Sequence, residues 1–535
     1  MDRLTLEVIG SALLTIAEEM GTALIRSSYS TNIKERQDCS TAIFDAAGQV
    51  IAQAEHIPMH LGSLLGVVRQ VLDRYPVAEL TRGDAFVSND PYTGGGTHLP
   101  DITLVSPVFA DGELFGFVAN IAHHADRSGE TIRTIWDEGL RITPIRLMQA
   151  GRMREDVLEL ILANFALPGE RVGDFRAQIA ANRLGERRVG ELIDRHGLAT
   201  VRAACAEALA YGERKIRAAI AELPDGVYRF ADAMDGDGVR PEPIPIAVAI
   251  AKHGDTMALD FAGSGPQCAG DINVVYFALV ATVYYALKAV LDPTIPANGG
   301  FYRAIAVTAP EGCIVNARPP APVAWRTQTC QRIADVVFGA LAQIVPSRVP
   351  AAGNGANSAF VFSGTDPRTG QLYVYLETLA GGSGGTATGD GMDAVQVHIT
   401  NTSNLPVEAL ETEYPLLVEE YALVEGSGGA GTHRGGLGLR RTVEILGHEA
   451  RLLGTTERAL IAPWGLLGGE PGGCARLVLN PGGPLERTLP PKVWGYPLRP
   501  GDRVAIETPG AGGYGPPAGR DVAARLADAR DGIVA

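Results

Sequence analysis

The sequence is poor in lysine and has neither closely paired cysteines nor a long uncharged apolar run. Its 535 residues include five lysines, and none completes the G-x-x-x-x-G-K-[ST] pattern of a phosphate-binding loop. The six cysteines are scattered without a C-x-x-C pair, so the usual spacing of a zinc finger or a dithiol redox motif is missing. A formal net charge of −15 disfavours binding to nucleic acid and to anionic membranes. We therefore expect a reduced, cytoplasmic protein.

Two apolar segments are long enough for helices but carry charges that argue against a membrane span. Residues 1–28 include Glu18 and Glu19, and their apolar residues recur at helical spacing, which predicts an amphipathic helix with one buried stripe. No signal-peptide cleavage pattern follows them. Residues 274–291 offer about 14 residues before Lys288, short of the ~20 that a membrane span requires. This second segment predicts a buried core helix.

The chain is long enough for several packed regions, and its patterns change along its length. Alternating apolar runs follow the first helix, helical periodicity dominates the middle, and short apolar runs between glycine clusters fill the C-terminal part. We predict a mixed α+β fold with four regions. They are a mixed α/β region at 1–150, a helical region at 151–225, an α/β region with a buried helix at 226–355, and a β-rich region at 356–535.

A β-hairpin is predicted around residues 111–112, because Asp-Gly between alternating apolar runs is a preferred two-residue turn. If the ladder is regular, this turn places Pro100 opposite His123 and Asp101 opposite Ala122. The sequences THLPD and AHHAD are therefore expected to meet at the far end of the hairpin.

The facing ends of this hairpin carry candidate metal ligands. In a regular ladder His98 and His123 share one face, so Asp101 reaches them only if its strand ends or bends near Pro100. The adjacent residues His123 and His124 point to opposite faces of the strand, so only one of them is expected to be a ligand. Two imidazoles and one carboxylate suit Mn²⁺, Fe²⁺ or Zn²⁺ and leave positions open for water or substrate. The alternative is a set of hydrogen-bonding pairs without a metal.

Two glycine-rich segments, residues 91–97 and 381–391, allow two interpretations. Such segments can hold phosphate, but both lack lysine, so turns and close backbone contacts are the alternative. If the activity requires ATP, another polypeptide is expected to bind it. Cys39 and Cys330 are expected to be buried apolar residues rather than nucleophiles.

Several longer motifs occur in the same chain and span most of its length. They are SNDPYTGGGTHLPDITLVSPVF, NIAHHAD, DEGLRI, NTSNLPVEALE, GSGGAGTHRGGLG and TPGAGGYG. Together with ERQDCSTAIFD they resemble the hydantoinase B/oxoprolinase family from residue 38 to residue 515. The resemblance implies a nearly full-length hydantoinase B-like fold.

The resemblance also implies a ligand set. The H-x-x-D motif of the family falls on His98 and Asp101, its later histidine falls on His123, and Asp38 matches a fourth ligand. The expected ion is Mn²⁺ or Zn²⁺. Four further residues lie in family-like phrases and are candidates for proton transfer or for supporting the ligands, with structural hydrogen bonds as the alternative. These are His60, His124, Asp126 and Glu138, of which we select His124 and Glu138 as catalytic candidates.

The function implied by the resemblance is that of a B-type subunit in an ATP-dependent cyclic-amide hydrolase, acting on hydantoins, 5-oxoproline or lactams. A hydantoinase A-type subunit is expected to bind ATP with Mg²⁺ and to phosphorylate the substrate, in a hetero-oligomer built on a homodimer. One alternative is the metal-containing subunit of an ATP-dependent ketone carboxylase. The other is a non-catalytic scaffold.

Overall fold

The computed structural model describes residues 3–54, 57–124, 132–165 and 167–533, in which twelve α-helices and twenty strands form. The mixed α+β class is confirmed, as are the N-terminal helix, the helical middle of the chain and the buried helix after residue 274. The helices are α1 (Arg3–Ser27), α2 (Thr31–Lys34), α3 (His60–Ser63), α4 (Val67–Arg74), α5 (Glu155–Leu162), α6 (Pro168–His196), α7 (Leu198–Ala221), α8 (Tyr276–Leu291), α9 (Gly299–Tyr302), α10 (Arg326–Leu341), α11 (Val407–Glu413) and α12 (Val522–Arg530).

The first seven strands form one antiparallel sheet in the order β2-β1-β5-β4-β3-β6-β7. Helices α1, α6 and α7 cover one face of this sheet, and α4 packs on the other face. The helical segment that follows the sheet in sequence therefore completes the core of the first region. The strands are β1 (Cys39–Asp45), β2 (Val50–Gln53), β3 (Ala85–Ser88), β4 (Asp101–Ala110), β5 (Glu113–His123), β6 (Ile145–Gln149) and β7 (Arg152–Met153).

A second sheet has four strands in the order β11-β10-β9-β8 and packs against α8 and α10. Helix α3 of the first region lies so close to α8 that a Cβ on Gly62 would be 2.5 Å from the Cα of Ala281. Glycine at this position therefore brings the two regions into contact. The strands are β8 (Gly226–Met234), β9 (Ile244–His253), β10 (Thr256–Asp260) and β11 (Ile305–Thr308).

The C-terminal part contains two further sheets whose apolar faces pack against each other. One has the order β13-β12-β16-β19 and the other has the order β14-β15-β20-β17-β18. The strands are β12 (Ala359–Thr365), β13 (Leu372–Thr378), β14 (Leu416–Leu423), β15 (Leu439–Ile445), β16 (Ala450–Thr455), β17 (Arg476–Leu479), β18 (Arg487–Leu489), β19 (Lys492–Leu498) and β20 (Arg503–Glu507).

The register of the β4–β5 hairpin differs from the prediction at its far end. The expected Asp-Gly turn is present, but the pairing shifts by one residue at Val108, where Phe115 on β5 is left unpaired. Beyond this β-bulge Asp101 lies opposite His123, so the predicted pairings of Asp101 with Ala122 and of Pro100 with His123 are both wrong. Because directly opposed residues point to the same face, the bulge removes the conflict between carboxylate and histidine that a regular ladder would create.

Glycine-rich segments of the C-terminal part pack directly backbone against backbone. Gly436 illustrates the arrangement, because its N–H donates to Ser383 O and its carbonyl accepts from Ala511 N. A Cβ on Gly436 would lie 1.9 Å from Met392 O, which is closer than any side chain allows. We call the four segments 381–391, 426–438, 465–473 and 510–515 the glycine bundle. Its cohesion comes from main-chain hydrogen bonds and close backbone contact.

Among the described residues, one helical stretch, Leu4–Ser27 of α1, is long and apolar enough to cross a membrane by length and composition. The apolar stripe of α1 is instead buried against α6 and α7. Ile9, Leu13, Ile16 and Met20 are each at most 3% exposed in this core. The stripe therefore behaves as the amphipathic pattern predicts.

Replacing Gly436 with Ala is expected to destabilise the chain by about 1–3 kcal/mol, because the added methyl group overlaps the Met392 carbonyl. Gly389→Ala is the matched control, since a Cβ there would meet nothing within 4 Å. Urea unfolding of both variants measures the difference. Equal unfolding midpoints for the two variants would contradict the packing that we describe.

Candidate metal centre

Three adjacent strands bring the predicted ligands to one edge of the first sheet. Asp38 immediately precedes β1, His123 is the last residue of β5, and Asp101 is the first residue of β4. His123 pairs directly with Asp101, and its N–H donates to Asp38 O over 3.0 Å. The three residues therefore stand side by side across the strand order β1-β5-β4.

His98 joins this edge from the loop before β4. Its Nε2 lies 3.2 Å from Asp101 Oδ1, and its ring centroid lies 4.8 Å from that of His123. One potential ligand atom from each of His98, Asp101 and His123 falls within 4.8 Å of the others. Asp38 lies outside that group of atoms but lines the same cavity. The structure thus brings together the three hairpin residues and places Asp38 beside them.

Other side chains hold the ligands in place. Arg326, at the start of α10, donates from Nη2 to Asp101 Oδ2 over 3.0 Å and from Nε to Thr97 Oγ1 over 2.7 Å. The Thr97 hydroxyl in turn donates to Asp101 Oδ2. Asn32 Nδ2 lies 2.8 Å from His123 Nδ1 and orients that ring. Sequence reasoning missed Arg326 and Asn32, because nothing in their local sequence links them to the hairpin.

The protonation states suit cation binding. Burial and the Arg326 guanidinium lower the pKa of His98 to about 3, and burial and Arg326 likewise lower the pKa of His123 to about 3. Burial opposes the charged form of Asp101, but His98 and Arg326 beside it hold the pKa of this carboxyl well below its ordinary value. At neutral pH the edge therefore presents two neutral imidazoles and one carboxylate.

An unpartnered lone pair on His98 supports the fit of a metal ion. An ionised Asp101 only accepts hydrogen bonds, so Nε2 of His98 must carry the proton that points to it, which leaves the lone pair on Nδ1. His98 Nδ1 is buried and has no hydrogen-bond partner. Nitrogen and carboxylate oxygen donors together suit a first-row divalent cation such as Mn²⁺ or Zn²⁺.

Asp38, His98 and His123 line a cavity of about 150 Å³. It lies between the first sheet, the start of α10 and the C-terminal sheet containing β12 and β13. Its wall is mainly apolar, with a few polar groups at one side. The apolar residues include Ile57, Met59, Trp325, Val361, Val374, Leu376, Ile399 and Leu453, and the polar residues include Arg36, Asp38, His60, Glu138, Arg326 and Asn357. This composition is typical of a small-molecule site.

Glu138 is the one catalytic candidate that lines this cavity. It ends a 3-10 helix, Ile135–Glu138, and is 6% exposed. Its Oε1 accepts a hydrogen bond from Val323 N, whereas Oε2 is buried without a partner. Burial raises the pKa of Glu138 to about 8, so this carboxyl holds a proton at neutral pH.

The other candidates lie in different surroundings. His60 lines the cavity, with Nδ1 3.0 Å from Ser40 Oγ. His124 points away from His123 towards α6, where its Nε2 lies 3.0 Å from Gln178 Oε1 and its ring contacts Phe175. It borders a separate cavity of about 40 Å³ that Glu138 also lines. Asp126 falls outside the described residues.

The glycines of the loop before β4 allow close backbone packing beneath the ligands. A Cβ on Gly95 would lie 2.2 Å from Ser88 Oγ, and one on Gly96 would lie 2.7 Å from Asp101 O. Other atoms of the chain therefore fill the space beside both glycines. Of the two interpretations of this loop, the structure favours close backbone approach.

Comparison with known proteins identifies relatives along the whole chain. The family model described as hydantoinase B/oxoprolinase matches residues 2–517. An uncharacterised protein of Methanocaldococcus jannaschii is 39% identical over 99% of this chain and 94% of its own length. The caprolactamase subunit beta of Pseudomonas jessenii is 33% identical over 100% of this chain and 94% of its own length. A 5-oxoprolinase of Pestalotiopsis fici is 33% identical over 99% of this chain, which spans 43% of that longer protein.

Solved structures show the same architecture. The crystal structure of the ATP-dependent caprolactamase from Pseudomonas jessenii superposes with a TM-score of 0.92 at 32% identity, covering 100% of this chain and 95% of that chain. A nucleotide-free structure of acetone carboxylase superposes with a TM-score of 0.89 at 19% identity, covering 100% of this chain and 78% of that chain. At this lower identity the second match shows a shared fold.

Replacing His98 or Asp101 with Ala is expected to weaken Mn²⁺ or Zn²⁺ binding by at least about 100-fold, since each removes one of three clustered donors. His124→Gln is the matched control, because His124 adjoins His123 in sequence but faces Gln178. Metal content after dialysis against a chelator gives the measurement. Full metal retention in His98→Ala and Asp101→Ala would contradict the assignment.

The raised pKa of Glu138 predicts a pH-dependent stability. The pKa of Glu138 rises from an ordinary value of 4.5 to about 8 in the folded chain, so folding takes up one proton at pH values between these two. The wild-type chain therefore loses stability as pH rises through this range. The side chain of Glu138→Gln does not titrate. The free energy of unfolding of this variant, relative to wild type, should therefore increase with pH by up to about 1.4 kcal/mol per pH unit. Urea unfolding in chelator at several pH values measures this, with the exposed Glu222→Gln as control. A pH-independent difference would contradict the buried, protonated carboxyl.

Proposed function

Since this chain belongs to the hydantoinase B/oxoprolinase family, we propose that it is the metal-dependent subunit of an ATP-dependent enzyme that hydrolyses cyclic amides. The observation that carries the proposal is the cluster of His98, Asp101 and His123, of which both histidines line a mainly apolar cavity. The full-length likeness to a caprolactamase supports the choice of a lactam or related ring as substrate. The scaffold alternative leaves this clustered donor set without a role.

The site residues take complementary roles in this proposal. His98, Asp101 and His123 hold a divalent cation, with Asp38 as a fourth ligand, and Arg326 keeps Asp101 ionised and oriented. When bound, such a cation would supply Lewis acidity, which lowers the pKa of water and stabilises negative charge on the oxygen atoms of the reacting group. The apolar wall excludes bulk water and contacts the methylene groups of the ring.

Glu138 is the proposed general acid. Glu138 lines the cavity that the ring occupies, and its Oε2 has no protein partner. The Oε2 proton passes to the ring nitrogen as the carbon–nitrogen bond breaks, so the leaving group departs as a neutral amine rather than as an anion. His124, which faces Gln178, supports the strand end rather than the reacting atoms.

The energy of ATP enters through a partner. An unactivated amide is a poor electrophile, and phosphorylation of its oxygen by a hydantoinase A-type subunit with ATP and Mg²⁺ makes the carbon open to attack by water. Loss of the ring nitrogen then leaves an acyl phosphate, and a second water hydrolyses it to the carboxylate and inorganic phosphate. Names such as caprolactamase subunit beta support such a pairing. We propose a hetero-oligomer on a homodimeric core. The six free cysteines fit a cytoplasmic location.

Co-purified with its A-type partner, the chain is expected to open 5-oxoproline, hydantoin or caprolactam only when ATP is present. Glu138→Gln should retain bound metal but lower turnover by roughly 100-fold to 10,000-fold. Wild-type turnover should fall above a pH of about 8, where Glu138 loses its proton. Turnover of the cyclic amides and ADP release give the measurements.

Incorporation of labelled bicarbonate into a ketone, without opening of any cyclic amide, would replace the hydrolase with a carboxylase. Undiminished hydrolysis by the partner subunit alone would establish the scaffold role. Full turnover by Glu138→Gln would remove the general acid from the proposal and leave the hydrolase intact.

A further inference from the structure

We propose that Arg36 binds an oxyanion carried by the substrate in the cavity. The inference rests on the proposed function, because it names the chemical class of molecule that the same cavity accepts. That class is a ring with an apolar body and one anionic oxygen group. Arg36 is then a residue that determines specificity.

The backbone places Arg36 beside the predicted ligands. Gln37 has a left-handed φ of 56°, a conformation that is rare outside glycine. Its two neighbours, Arg36 and Asp38, both line the cavity. Arg36 is 5% exposed. Residues in such backbone conformations cluster at functional sites.

All hydrogen-bond partners of the Arg36 guanidinium are neutral. Nη1 donates to Asn32 Oδ1 over 3.0 Å and to Leu376 O over 3.1 Å, and Nη2 donates to Thr378 Oγ1 over 2.8 Å. Nε is buried without a partner. These contacts orient the side chain, and none of them is an ion pair.

Other buried arginines of the described chain show the contrast. Arg326 pairs with Asp101, and Arg441, on the far side of β13, pairs with Glu377. Within the ranges that the structure describes, no carboxylate forms an ion pair with Arg36. A buried cation without a counter-ion is costly, and an anionic ligand offsets that cost.

The charge balance of the cavity points the same way. Among the lining residues, Arg36 and Arg326 contribute two positive charges, Asp38 and Asp137 contribute two negative charges, and Glu138 is neutral. Asp101, which pairs with Arg326, adds a third negative charge. A divalent cation would leave the site with one excess positive charge. One oxyanion on the substrate compensates this excess, whereas a neutral ring would not.

The remaining wall fits the rest of the molecule. Ile57, Met59, Val361, Leu376 and Leu453 offer apolar surface and no hydrogen-bonding side chains. Two groups on the substrate could supply the anionic oxygen atoms that Arg36 binds. One is a carboxylate that the ring carries, as in 5-oxoproline, and the other is the phosphoryl group that activation by ATP adds to any ring.

Binding of inorganic phosphate and of 5-oxoproline to the full chain loaded with Mn²⁺ tests the proposal by calorimetry. Arg36→Gln should weaken binding of at least one probe by tenfold or more at matched metal content, and Arg36→Lys should lie between it and wild type. Arg441→Gln is the control for loss of a buried arginine, and it should keep wild-type affinity for both probes. Unchanged affinity for both probes in Arg36→Gln and Arg36→Lys would overturn the proposal.

Turnover by the complex with its partner separates the two sources. A loss with 5-oxoproline but not with caprolactam identifies the substrate carboxylate, and a loss with both identifies the phosphoryl group. If Arg36→Gln fails to fold, Arg36→Lys decides, since it keeps the charge but loses the forked geometry. Failure of the complex to open any ring would contradict the hydrolase and leave the binding result standing.

Discussion

The buried ion pair between Arg326 and Asp101 is the contact on which the site depends. It joins the start of α10 to the first strand of the hairpin, two elements 225 residues apart in sequence. Burying such a pair costs desolvation that its attraction only partly returns, so stability alone does not explain it. What the pair provides is an ionised, fixed carboxylate beside two neutral imidazoles. Together with His98, the pair offsets the burial that would otherwise favour a protonated Asp101.

The same cavity holds a second carboxyl in the opposite state. Glu138 is as well buried as the ligands, but a backbone N–H is its hydrogen-bond donor, and no guanidinium forms an ion pair with it within the described ranges. Asp101 has His98 and Arg326 as hydrogen-bond partners and Glu138 has neither, and this difference in neighbours separates an acceptor from a proton donor. Two carboxyls with different neighbours therefore supply both roles that hydrolysis of an amide requires.

Sequence patterns predicted the fold class, the main helices and the meeting of THLPD with AHHAD, because helical spacing and the Asp-Gly turn are local signals. The one-residue bulge at Phe115 has no such signal, and it decided which residue faces His123. Family resemblance contributed Asp38, which hairpin geometry leaves out. Arg326 and Arg36 escaped prediction because each reaches the cavity through tertiary packing of distant segments, and a single sequence does not record which distant segments meet.

The glycine bundle has a consequence for how tolerance to substitution is interpreted along this chain. Around the cavity, a substitution changes charge, hydrogen bonding or ligand geometry, so intolerance there reports chemistry. At most glycines of the bundle, backbone oxygens occupy the space where a Cβ would be. Intolerance at those positions therefore reports steric overlap and is independent of the reaction. A saturation mutagenesis map would therefore show two regions of equal severity with unrelated causes. Measuring abundance alongside activity would tell them apart.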